Sequence, residues 1–380
     1  MNGPLITRKQ YTAAIFVSLL SPMMRLLPHG AVGIAGRAAF LSVIPAVPLL
    51  MALSYLMSAY RRYMRPGEGL GGLLMRWLGP VFGRIVLVLF GLWLLFYAGF
   101  ILRSGAERLV STVYPNSGPG PFVVTLLVLC ALTALGPVRA LSRTAVLLRA
   151  LLFTTLALVF IFSISSIDTD NLRPITWHDA GPVMLGAWPF ATVGAVGAYF
   201  AFLSGYVEQP KNTVGWLLGP LGIFLATAAL ICFEVVGVFG PSLAGALSYP
   251  FFVMIRDISI LDILPRIEAV VIAVWVLADF ILCAMLLRCA HEALRPIFRL
   301  PAPEGLPMKS FGKGRWLQWI EAIAVFGCTQ FFIASSQPLE LWSNHVIPII
   351  SDCFTFGALT LLWLITAPRR KREQRQLGQQ

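Results

Sequence analysis

Residues 183–206, VMLGAWPFATVGAVGAYFAFLSGY, are long and apolar enough to cross a bilayer, yet Trp188-Pro189 and then Gly194-Ala195-Val196-Gly197 fall inside the run. Proline removes a backbone donor and glycine weakens helix, so the reading predicts an interruption there. In hydrocarbon an unpaired N–H or C=O costs several kcal/mol, and an interrupted span survives only if it is buried in protein or lines a cavity. A second stretch, residues 11–27, YTAAIFVSLLSPMMRLL, is interrupted at Ser21-Pro22 and carries Arg25. Two interruptions half a chain apart point to a small-molecule site near the bilayer midplane.

Working outward, further apolar runs occupy residues 33–59, 85–114, 121–137, 144–166, 214–236, 268–290, 316–335 and 346–367, about ten in all. Most reach the roughly 20 residues that cross about 30 Å of hydrocarbon. The composition agrees, at 58% hydrophobic and 12% charged, where a soluble domain carries about a quarter charged residues. The expectation is one bundle over residues 1–367 and a basic, disordered tail over 368–380. Arg8-Lys9 precede the first run as they would in a signal peptide. That run ends in Met-Arg-Leu-Leu-Pro without a small-residue cleavage site, so it reads as the first helix.

Charge orients the bundle. With both termini cytoplasmic, most of the 29 Lys and Arg fall inside, leaving Arg25, Arg37, Arg103, Arg108, Arg173, Arg256 and Arg266 outside. The formal charge of +12 is then topology and attraction to anionic lipid rather than a nucleic-acid footprint. The six cysteines lie in or beside spans without C-x-x-C spacing, and the four histidines form no H-E-x-x-H. Neither a Walker sequence nor a G-x-S-x-G elbow occurs. No metal or cofactor is expected, and an enzyme acting on lipid has no constellation to stand on.

Ionisable groups inside spans are functional candidates by default. Glu234 and Asp352 lie towards span ends, where reaching the interface is an alternative reading. Asp279 is deeper, and either serves the site or forms a structural pair. Tyr97 needs a partner for its hydroxyl, in a pocket or on another helix; Ile101 shares its face. Gly194 and Gly197 suit an unwound segment or, alternatively, close helix packing. Residues 166–182 form a polar outer connection. Residues 240–266 are too polar to span, but Phe251, Phe252, Ile255, Ile258, Ile260 and Leu261 give them an apolar face, as in an amphipathic surface helix or a docking surface.

An ordered series of short motifs runs along the chain. It includes Ile6-Thr7-Arg8-Lys9-Gln10, Leu26-Leu27-Pro28, Ala35-Gly36-Arg37-Ala38-Ala39-Phe40-Leu41-Ser42 and Leu102-Arg103 with Glu107. Leu135-Gly136-Pro137-Val138-Arg139-Ala140-Leu141-Ser142-Arg143, Tyr249-Pro250 and Arg256-Asp257-Ile258 follow. Pro265-Arg266-Ile267-Glu268, ahead of a helix bearing Trp275, is the most specific piece. Over residues 5–367 this pattern resembles the B subunit of GerA-type spore germination receptors. The resemblance implies an endospore permease of the amino acid–polyamine–organocation superfamily. Its fold would be an all-α integral membrane bundle of ten transmembrane helices, a LeuT-like five-plus-five inverted repeat with helices 1 and 6 broken. Such proteins sense nutrients, often amino acids, in the spore inner membrane. They act with an A subunit and a lipoprotein C subunit.

Carried across, the pocket comprises Leu20, Ser21, Pro22 and Met23 at the first break, with Phe190, Gly194, Val196 and Gly197 at the sixth span. Tyr97 and Ile101 come from the third span, and Asp279 and Phe280 from the eighth. Half-helix ends would supply donors for a carboxylate and acceptors for an ammonium group. Two positions depart from the family pattern. Arg139 and Val196 stand where many relatives carry acidic residues, which shifts the expected ligand towards neutral or zwitterionic nutrients and weakens the case for proton coupling. Three roles compete: a ligand-gated sensor, favoured by that loss of charge, an alternating-access amino-acid transporter, and a scaffold.

Overall fold

The computed structural model describes residues 6–65, 67–112, 114, 116–208, 213–257, 267–300, 315–332 and 336–370. "Inner" denotes the end of the bundle that carries the N-terminus, and "outer" the opposite end. Helix α1 (Arg8–Ala35) starts from a capping box in which Thr7 and Gln10 each accept the other's backbone N–H. Ahead of it, Ile6 forms an isolated bridge with Val207. A 3₁₀ turn (Gly36–Ser42) leads into α2 (Val43–Arg61), and a short inner helix α3 (Leu70–Leu78) into α4 (Phe82–Thr112). Helices α5 (Gly120–Leu135) and α6 (Val138–Ser163) complete the first half.

The second half starts with α7 (Ala180–Ala195), which passes into 3₁₀ winding over Val196–Tyr206. Helix α8 (Thr213–Ala246) bends at Gly240, whose φ of 72° is open to glycine. The short α9 (Pro250–Asp257), α10 (Ile267–Leu294) and α11 (Arg315–Phe331) follow. The last span combines α12 (Ser336–Leu341), α13 (Ile347–Asp352) and α14 (Leu359–Ile365) through π-helical turns at Trp342–Val346 and Cys353–Ala358. Seven helical stretches among the described residues are long and apolar enough to cross a membrane, and α5 is a shorter apolar one. This is an all-helical integral membrane bundle, wound around α1 and α10, which pack on each other and on most of the remaining spans.

Two expectations change in form. The first run stays α-helical across Ser21-Pro22, with Pro22 and Pro28 both inside α1. One internal proline costs about 3 kcal/mol, yet neighbouring helices hold this span on every side: Leu20, Ser21, Pro22 and Met23 are all buried. The segment expected at the outer surface also turns inward. Phe251, Phe252 and Ile255 are buried, with Phe251 in ring contact with Trp275 of α10. Ile258, Ile260 and Leu261 lie outside the described residues, as does the tail beyond Arg370.

Candidate functional site

The expected pocket residues fall into a densely packed layer. Leu20, Met23, Tyr97, Ile101, Phe190, Val196 and Asp279 are at most 2% exposed. Within the layer, α1, α4 and α10 are tied together by charge. One Asp279 carboxylate oxygen accepts from the Ser21 hydroxyl, and the other from the Arg108 guanidinium at 2.9 Å. Gly105 lets α4 approach so closely that a Cβ there would lie 2.9 Å from the Asp279 carboxylate. Asp279 is therefore a paired group within the expected site. A buried pair like this is weak evidence for stability, but breaking it is costly.

One turn beyond Ser21, Arg25 is buried with 2% exposure. One guanidinium nitrogen donates to Ser104 Oγ at 2.9 Å, and the group sits 4.2 Å from the Phe100 ring centroid. Its other terminal nitrogen, Nη2, is buried without a hydrogen-bond partner among the described residues. The sequence reading noted Arg25 but left it out of the pocket. Tyr97 stacks beside Trp93 at 5.8 Å and meets Tyr199 edge-on at 6.5 Å. Phe280 stands apart: it is half-buried, and its carbonyl accepts from Cys130 of α5.

Cavities lie on either side of this layer. The inner one, about 110 Å³, lies between α1 (Tyr11, Thr12, Ile15, Leu19), α2, α8 and the sixth span, where Gly194 and Gly197 form part of its wall. The outer one, about 400 Å³, is bounded by Leu26, His29, Gly30 and Gly33 of α1, by Trp188 and Thr192 of α7, and by Asn344, His345 and Pro348 of the last span. Gly197 thus faces Ile15, and Gly194 faces Leu50 and Phe224, rather than Asp279.

The last span grips the sixth on both sides of the winding change. Thr192 donates to Asp352 at 2.7 Å, one turn before Val196. Tyr199, one turn after, bonds Ser351 Oγ at 3.0 Å and accepts from Trp93 Nε1 at 2.7 Å. The Trp188 side chain of α7 also bonds the Asp352 carboxylate. Long 3₁₀ runs are uncommon and often mark hinges, and π turns cluster at functional sites. At the inner end, Tyr206 donates to Glu292 of α10 at 2.8 Å, within a buried group that includes Arg288, His291 and Glu321. The reading along the chain missed this inner group. Its only signal was the presence of Glu292 and Glu321 inside apolar helices.

The comparisons with known proteins agree with this architecture. Residues 5–311 match the family Spore_permease, described as spore germination protein. YfkT of Bacillus subtilis (strain 168), whose name provisionally assigns it to spore germination, is 25% identical over 198 residues. That match covers 52% of this chain and only about half, 54%, of the relative. Among solved structures, MhsT in complex with L-phenylalanine superposes with a TM-score of 0.63 at 15% identity, covering 91% of this chain and 87% of that one. A manganese transporter of Eremococcus coleocola gives 0.60 at 13% identity, covering 93% and 78%. A Na⁺-coupled sialic acid symporter gives 0.58 at 16% identity, covering 94% and 84%. At such identities these likenesses speak for the fold alone, which is LeuT-like. The chain belongs to the spore germination permease family.

Proposed function

We propose that this protein is the nutrient-sensing membrane subunit of a spore germination receptor. It takes a small nutrient such as an amino acid into the layer between the two cavities and signals to partner A and lipoprotein C subunits. The observation that carries this reading is the passage from α to 3₁₀ winding at Val196. Gly194 and Gly197, which flank it, line one cavity, and Thr192, one turn earlier, lines the other. A ligand preferring one winding or packing of this segment shifts the bundle by its differential affinity, and signalling requires nothing more. The residues proposed for contact remain Leu20, Ser21, Pro22, Met23, Tyr97, Ile101, Phe190, Gly194, Val196 and Gly197, with Asp279 bracing them. The membrane is the spore inner membrane, with both termini on the core side, in line with the charge distribution.

The test uses spores whose only germinant receptor contains this chain. A Cβ at Gly197 already meets Ile15 Cγ2 at 3.4 Å, so Gly197→Trp wedges α1 from the sixth span. Loss of cation release towards one nutrient, with A-subunit levels unchanged, is expected. An unaltered response would leave the layer idle and the chain a scaffold. The second reading, an alternating-access amino-acid transporter, draws on paired cavities separated by a closed layer. It requires net uptake of labelled nutrient by vesicles containing the chain.

A further inference from the structure

Arg25 is a cation with unmet bonding capacity in the middle of the candidate site. It is 2% exposed, its Nη2 has no hydrogen-bond partner among the described residues, and its other terminal nitrogen donates to the neutral Ser104 hydroxyl. The carboxylate in the same layer, Asp279, already has both oxygens engaged, by Ser21 and Arg108. A buried guanidinium is costly unless paired and hydrogen-bonded. Its planar fork fits a carboxylate, which can accept two parallel bonds. The outer cavity of about 400 Å³ comes close: Leu26, the next residue, and His29, four residues further along the same helix face, both line it. Arg25 lies one helical turn deeper than His29, beneath the floor of that cavity, so a small nutrient reaches it by parting the layer there. The wall it passes is otherwise mostly apolar and uncharged, with Trp188, Val193 and Ile349 beside Thr192, Ser343 and Asn344.

We propose that Arg25 is the anchor for the carboxylate of the nutrient, and therefore that the ligand class is a small carboxylic acid, an amino acid included, rather than a sugar or nucleoside. The inference rests on the sensing site proposed above and specifies its chemistry. On binding, the carboxylate accepts from Nη2 while Ser104 keeps the other nitrogen oriented. The cation–π contact with Phe100 at 4.2 Å holds the guanidinium plane in place.

The experiment measures thermal stability of the full chain in lipid nanodiscs against a panel of L-amino acids, each beside its amide, with glucose, inosine and chloride as further probes. At least one free acid should raise the melting temperature while its amide does not. Arg25→Gln should weaken that acid about tenfold or more, in keeping with loss of a charge-assisted hydrogen bond, and Arg25→Lys should weaken it less. The acid–amide comparison is made on the unaltered chain, so it holds even where a variant fails to fold. Acid and amide stabilising alike, stabilisation by glucose, inosine or chloride alone, or an acid effect that survives Arg25→Gln each overturn the anchor and leave the sensing site standing. Stabilisation by no probe overturns the anchor and counts against nutrient binding by this chain altogether.

Discussion

At the scale of single residues, partnership decides what each buried charge does. Asp279 and Arg108 form a buried ion pair across α10 and α4, so Asp279→Asn should break that pair. The expected loss is about 3–5 kcal/mol of stability, read as a lowered unfolding midpoint in detergent. Asp279→Asn combined with Arg108→Gln should cost less than the two single changes added together. A sum that is simply additive would mean the pair carries no coupling. Asp279 was legible in the sequence because a carboxylate within an apolar run stands out. Its partner was not, since Arg108 lies 171 positions away and only the packing of α4 on α10 brings the two together. Arg25 was equally visible as a residue, but its importance depends on one buried nitrogen, Nη2, left without a bond among the described residues, which no linear pattern reveals.

Among the elements, the sixth span is the one whose geometry is under outside control. Eleven residues of 3₁₀ winding form a long run for so strained a helix, and bonds from the last span bracket its start. Removing them with Thr192→Val and Tyr199→Phe should cost about 1 kcal/mol each. Amide exchange over Val196–Tyr206 should accelerate while that of α1 holds. If exchange there is unchanged, the grip from the last span does not set the winding. The elements themselves were largely readable, because runs of apolar residues long enough to span are hard to mistake. The sequence reading placed an interruption at Trp188-Pro189 and Gly194-Ala195-Val196-Gly197, and the winding changes within the latter, at Val196. It misjudged Ser21-Pro22, where the same proline logic yields to the burial of α1 among its neighbours, a tertiary effect. The short α3 went unread, and the turn of α9 into the bundle depends on the long-range contact of Phe251 with Trp275.

For the whole molecule, two cavities and one closed layer describe a body with two ends that need not open together. Cysteines placed at Asn344 and Ser54, with the exposed Cys353 and half-buried Cys328 changed to serine, should react from opposite sides of a sealed vesicle. A bound nutrient should change the two labelling rates in opposite directions. Parallel changes would indicate a simple loosening instead. The inner end bears a further consequence. Ile6 exchanges backbone bonds with Tyr206 and Glu208, each at 3.0 Å, and Arg61 donates to the Glu208 carbonyl at 3.1 Å. The start of the chain, the end of α2 and the foot of the sixth span are thereby stitched into one seam. At roughly 1 kcal/mol per bond, and a factor of ten for each 1.4 kcal/mol, undoing all three by thermal fluctuation alone is about a hundredfold rarer than leaving them closed. Under the sensing role proposed above, such a seam would work as a guard against false alarms: noise strains the stitches, and only a sustained signal unpicks them.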